Sequence, residues 1–243
     1  MAIYKLVVEY NGKNFYGSQK QSSLRTVEGV LEKVFNNLLN TKNSKVSFLS
    51  RTDRGVHSVG NIAKLVCDKN FDTKKFLETI NYFLPEDVKI VKISKLFSKS
   101  KLKPKYKIYY YVVYNSPTPP TLLKEYSFWV RKKISMSILH KAIKIITNCK
   151  NLNFVATKED AQHNRTKGCK IKIKVSKVQQ FIIFKFIGTK FTQHMIRNIM
   201  SLLIQTATGK ISLDQLKKIV STWKYCKTPP ADANALILTK IVL

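Results

Sequence analysis

Between residues 4 and 10, Tyr4, Leu6, Val8 and Tyr10 fall on one side of an extended chain and Lys5, Val7 and Glu9 on the other. That is the two-residue period of a strand with one buried face. The period then changes. Val27, Val30, Leu31, Val34, Phe35, Leu38 and Leu39 recur at helical spacing behind Thr26, which is placed to cap the first turn. "KVSFLS" (45–50) and "GNIAKLVC" (60–67) read as strands, followed by a helix over 73–83, Pro85 as a breaker and a strand over 88–94. After the basic stretch "SKSKLKPKYK" (98–107) the order repeats loosely. A strand over 106–114 and a helix near 136–147 precede strands near 169–176 and 180–187, helices near 191–207 and 212–222, and a last strand near 235–242. Strand runs separated by helices, with hairpin-like neighbours, predict an α+β fold. Its form is two split β-α-β units, RRM- or ferredoxin-like, making a mainly antiparallel sheet flanked by helices. The division falls near residue 103, giving domains 1–103 and 104–243. The proline-rich "NSPTPPT" (115–121) interrupts the second unit after its first strand and is a loop, not a boundary.

Composition narrows the partner. The chain carries 44 basic and 14 acidic residues, a formal net charge of +30, which points to a polyanion, with nucleic acid fitting best. Lysine outnumbers arginine 38 to 6, so a lysine-rich composition accounts for part of that charge, and the few arginines are the informative ones. A guanidinium offers a planar fork of donors suited to carboxylates, phosphates and base faces. Two of the six, Arg51 and Arg54, lie within two residues of Asp53. Cys67, Cys149, Cys169 and Cys226 form no C-x-x-C pair, which argues against a zinc site or a disulfide framework and for a reduced cytoplasm. The opening "MAIYKLVVEY" lacks a signal-peptide core and no apolar run reaches membrane-spanning length, so no membrane attachment is expected.

"SRTDRGVH" (50–57) holds the candidate chemistry. Read locally, "TDRG" is a β-turn, with Asp a common turn residue and Gly55 free to take a positive φ. Arginines flank the carboxylate, however, and the segment re-enters a strand, which sets the loop at the edge of a rigid sheet. A positioned carboxylate there is a nucleophile or a general base.

The same stretch, "SRTDRGVHSVGNIAKL", resembles the R-T-D-x-G-V-H signature of the tRNA pseudouridine synthase A family. "YKLVVEYNGKNFYGSQKQ" (4–21), "RTVEGVLEKV" (25–34), "LPEDVKI" (84–90), "YKIYYYVVYN" (106–115) and "FTQHMIRNIM" (191–200) are similar to its other segments in order and spacing. The resemblance implies the pseudouridine synthase fold and isomerisation of uridines in the anticodon stem-loop of tRNA (tRNA positions 38 to 40). It implies Asp53 as the catalytic residue, Arg51 at the RNA backbone or helping to expel the base, Tyr109 of the Tyr109–Tyr111 pair stacking on the uracil, and Arg197 pairing with the aspartate. It also implies a homodimer whose subunits jointly cradle one tRNA, with no metal and no cofactor. Ser18 stands where the family usually has tryptophan, Ser50 where it often has glycine and Arg54 where a small residue is common. These departures bear on RNA contacts and loop geometry.

Read without the family, the residues leave other assignments open. Tyr109, Tyr110 and Tyr111 must alternate faces in a strand, so at least one belongs to the core. Arg197 sits at the border of the apolar arc of its helix, where an arginine can simply reach solvent, and His57 reads as a packed loop histidine. A non-catalytic RNA-binding protein fits the charge and the tyrosine strand. A metal-dependent phosphodiesterase built on Asp53 and His57 ranks last, because hard cations want several oxygen ligands and no second carboxylate cluster is evident.

Overall fold

A computed structural model describes residues 1–97, 102–222 and 229–243; residues 98–101 of the basic stretch and Cys226 lie outside them. The protein is α+β, with mainly antiparallel strand pairing and flanking helices. It forms two compact units, Met1–Lys105 with Ile237–Leu243, and Tyr106–Leu236.

The first unit runs β1 (Ala2–Tyr10), α1 (Val27–Leu38), β2 (Lys45–Phe48), β3 (His57–Cys67), α2 (Thr73–Phe83) and β4 (Val88–Leu96). β1 pairs antiparallel with both β3 and β4, and β2 with β3, which is the order 4-1-3-2 of a split β-α-β unit. The alternation of β1 sets its core. Tyr4, Leu6 and Val8 are fully buried together with Leu31 and Phe35 of α1 and Ile80 of α2, each such aliphatic or aromatic side chain stabilising the fold by about 1.5–3 kcal/mol. Thr26 caps α1 by accepting from Gly29 N at 3.3 Å. Asp72 caps α2 by accepting from the amides of Lys75 and Lys74, and these bonds hold its carboxyl below the usual range. α1 also reaches β2: Glu28 accepts from Phe48 N and Lys20 N, and Glu32 accepts from Val46 N.

A division at residue 103 gives the last strand, β9 (Leu236–Val242), to the second half, whereas Ile237–Leu243 pack with the first unit. The reason is pairing: His57 and Ser58 of β3 run parallel to Ile237 and Leu238. Ser58 Oγ also donates to Leu238 O at 3.0 Å. The same pairing starts β3 at residue 57, three residues earlier than periodicity alone predicts.

The second unit contains β5 (Tyr106–Asn115), β6 (Phe128–Val130), α3 (Met136–Thr147), α4 (Lys158–Gln162), β7 (Ile171–Val178), β8 (Phe181–Gly188), α5 (Met195–Ala207) and α6 (Leu213–Ser221). β8 lies between β5 and β7, antiparallel to both, and β6 pairs parallel with β5. The core draws on Tyr111, Val113, Phe184 and Phe186 of the sheet, Leu139 and Ile146 of α3, and Ile199 and Leu203 of α5. α5 begins at Met195 rather than at 191 because His194 takes a positive φ of 59°, which the helical path cannot include.

Candidate active site

Residues 50–57 leave β2 and enter β3 through a turn. Val56 N donates to Asp53 O at 3.2 Å, with Gly55 at φ 81°. The local β-turn is thus present one residue further on than read, over Asp53–Val56. Before the turn the chain alternates: Ser50 and Thr52 are buried, Arg51 is exposed and Asp53 is half-buried. The two residues assigned to chemistry share the outward side.

Several segments of the first unit scaffold this loop. Thr52 N donates to Ser18 Oγ at 3.0 Å and Thr52 O accepts from Ser18 N at 3.1 Å. Gly17, at φ 93°, makes that approach possible, since a Cβ there would stand 2.7 Å from Thr52 O. Tyr10 Oη lies 2.8 Å from Thr52 Oγ1. Asn61 Nδ2 donates both to Tyr10 Oη at 3.0 Å and to Ser50 O at 2.9 Å. The Tyr10 hydroxyl thus accepts from Asn61 and keeps a proton of its own beside Thr52 Oγ1, where either oxygen can donate. Burial pushes the Tyr10 phenol up to about 12, so that proton is retained at neutral pH. Asn61 Oδ1 has no hydrogen-bond partner among the described residues, a cost of about 1–3 kcal/mol that optimisation for stability alone would remove. Past the turn, buried His57 accepts from Gly12 N at Nδ1, 3.0 Å away.

The arginines separate by use. Arg25 grips Asp87 with two hydrogen bonds of 2.7 and 2.8 Å and lies 4.1 Å from the Phe15 ring centroid. Arg165 meets Glu159 and Asp160. Both serve structure. Arg54 lies 4.3 Å over the Tyr16 ring, and Tyr16 is itself exposed, so this pair presents cation and aromatic together beside Asp53.

Tyr109 and Arg197 belong to the second unit. Tyr109 shares a face of β5 with Tyr111, is only 5% exposed and meets Phe191 edge to face at 5.2 Å between centroids. Tyr111 is core: its hydroxyl donates to Asp232 O at 2.9 Å, and burial first, then the Asp232 carboxylate, raises its phenol far above the ordinary value. Arg197 stands in the first turn of α5, where its Nε donates to Ala231 O at 2.7 Å while Ala231 N donates back to Arg197 O at 3.2 Å. That exchange fixes the base of a side chain whose sequence position also fits an arginine reaching solvent. Among the described residues no three His, Cys, Asp or Glu side chains gather, and no helix is long and apolar enough to cross a membrane.

Tyr10 and Asn61 were not legible as parts of the site, and Ser18 stood out only as a departure from the family's usual tryptophan. Tyr10 scans as one more core position, and the contacts of Ser18, Tyr10 and Asn61 with the loop span 34, 42 and 11 residues.

Comparison with known proteins gives the class. The family model described as tRNA pseudouridine synthase matches residues 6–99 and 151–242. The tRNA pseudouridine synthase A of Phytoplasma mali is 32% identical over 98% of this chain and 97% of the relative. That of Acetivibrio thermocellus is 28% identical over 96% and 97%, and that of Dictyoglomus turgidum 31% identical over 89% of each. The chain belongs to the tRNA pseudouridine synthase family and is an isomerase that acts on tRNA.

Proposed function

We propose that the protein converts uridines in the anticodon stem-loop, tRNA positions 38 to 40, to pseudouridine, with Asp53 as the catalytic residue. The observation that carries this reading is the outward, half-buried placement of Asp53 between Arg51 and Arg54 on an internally anchored loop. In the reaction the N1–C1′ bond breaks with its electron pair going to the base, and C5 bonds to C1′. C5 then gives up its proton while N1 gains one, so oxidation state is unchanged. Asp53 engages the sugar, as the nucleophile at C1′ or as the base toward it. Exposed Arg51 meets the RNA backbone, where a guanidinium fits phosphate geometry.

The first half of the chain supplies the aspartate loop, and Tyr109 and Arg197 come from the second. Flipping the target base costs a few kcal/mol, which stacking on an aromatic, worth about 1–3 kcal/mol, offsets. Tyr109 is only 5% exposed and meets Phe191, so stacking on the uracil requires its ring to be uncovered first. The resemblance gives Arg197 the role of pairing with the catalytic carboxylate, which a guanidinium suits. The enzyme works in the cytoplasm as a homodimer, two copies cradling one tRNA, which light scattering with and without tRNA tests directly.

The deciding experiment incubates wild type and Asp53→Asn with uridine-bearing tRNA and maps pseudouridine by mass spectrometry. Product at the anticodon stem-loop from wild type alone, with both proteins binding tRNA, is expected. Equal product from Asp53→Asn would remove the catalytic assignment, and product elsewhere would move the target.

A further inference from the structure

The residues before the turn divide into an anchored pair and a presented pair. Ser50 and Thr52 face inward, and each is tied to buried polar groups. Arg51 and Asp53 face outward. Thr52 is held through its amide, its carbonyl and its hydroxyl, the first two by Ser18 and the third by Tyr10. Asn61 joins the two anchors, since one Nδ2 group donates to Ser50 O and to Tyr10 Oη. Its orientation is set by Ser50, because a flipped amide would face carbonyl against carbonyl. Tyr10 is on β1 and Asn61 on β3, neighbouring antiparallel strands whose register shifts between Val8 and Tyr10, so the clamp is referenced to the sheet at that irregularity.

We infer that Tyr10, Asn61 and Ser18 are positioning residues for the isomerisation, fixing Asp53 through the backbone of Ser50 and Thr52. The inference rests on the reading of Asp53 as catalytic. The alternation of an extended chain transmits the constraint: with Ser50 and Thr52 immobilised, Asp53 follows on a fixed backbone and enters the turn closed by Val56 N to Asp53 O. Ser18, a departure from the family's usual tryptophan, thereby has its own use here. Its side chain is completely buried and supplies the acceptor for the Thr52 amide.

The test compares full-length Tyr10→Phe with Tyr4→Phe and Asp53→Asn. Tyr4 is a second fully buried tyrosine of β1, and its hydroxyl accepts from Phe71 N at 3.1 Å, away from the loop. Each variant is assayed for kcat and KM with tRNA, tRNA affinity by filter binding, and melting temperature. Tyr10→Phe is expected to lower kcat by about tenfold or more while KM and affinity stay within roughly twofold, since misplacing a catalytic group penalises chemistry over binding. Tyr4→Phe shares any loss in melting temperature and keeps its kcat. Should Tyr10→Phe not fold, Ser18→Ala, which removes the acceptor for Thr52 N, is expected to give the same split. A wild-type kcat in Tyr10→Phe, or an equal fall in Tyr4→Phe, overturns the clamp. Asp53→Asn separates the two failures: if it is inactive while Tyr10→Phe is normal, only the clamp falls, and if it turns over tRNA, the assignment of Asp53 falls and the clamp with it.

Discussion

In the first unit the Asp53 loop is held by hydrogen bonds to buried polar groups, whereas in the second Tyr109 is held by contact with Phe191 and by burial in the sheet. The two means have different tolerances. Hydrogen bonds fix atoms within tenths of an ångström and fail when one partner is removed. Packing lets a ring shift against its neighbour but fails when volume is deleted. A nucleophile or base needs the first kind of support. A platform that must receive a base needs the second.

Substitutions can break each mode separately. Tyr109→Ala should have the largest effect, a loss of about 3–5 kcal/mol of stability for a buried aromatic, read by urea denaturation. Tyr109→Phe keeps the volume and should cost far less, and equal losses for the two would refute packing as the means of support. Gly17→Ala comes next. Its φ of 93° and the 2.7 Å approach of a Cβ to Thr52 O should cost about 1–3 kcal/mol. The fall in kcat should outrun the fall in stability, and a variant that loses stability but keeps kcat would count against pinning.

Arg54→Ala should be milder. It removes a stack on Tyr16 worth about 0.5–1 kcal/mol and one cation from the RNA face, lowering the slope of log affinity against log salt by about 1. Arg25→Ala, which loses Asp87 instead, should leave that slope unchanged. A further effect is confined to high pH. The Tyr10 phenol, pushed up to about 12 by burial, lies above its unfolded value of about 10. Its contribution to stability is therefore complete below pH 10 and lost as pH rises toward 12. Tyr10→Phe should flatten the urea midpoint over that window and leave its pH dependence below about pH 9 unchanged.

Where local forces decide an element, the sequence showed it. The helix predicted over 73–83 is found as Thr73–Phe83, because Asp72 caps one end and Pro85 follows the other. Distant partners erased that legibility. β3 reaches back to His57 because Ser58 pairs with Tyr10 of β1, and His57 and Ser58 pair with β9. β6 and α4, three and five residues long, are too short to show any period. Asp53 and Arg51 could be picked out through a local motif, and alternation put Tyr109 on the same face as Tyr111. The clamp could not be found in this way: Tyr10, Ser18 and Asn61 carry no shared pattern, and only the pairing of β1 with β3 brings two of them together.

The carboxylates of α1 that meet β2 have a consequence beyond the fold. β2 pairs on one side with β3, and the amides of Val46 and Phe48 are occupied by Glu32 and Glu28. An edge strand with open amides is a template for another polypeptide. A protein of charge +30 accumulates wherever polyanions are dense, and crowding of that kind favours strand-to-strand aggregation. With those amides occupied and β2 only four residues long, this border offers little for another strand to pair with as the chain concentrates on RNA.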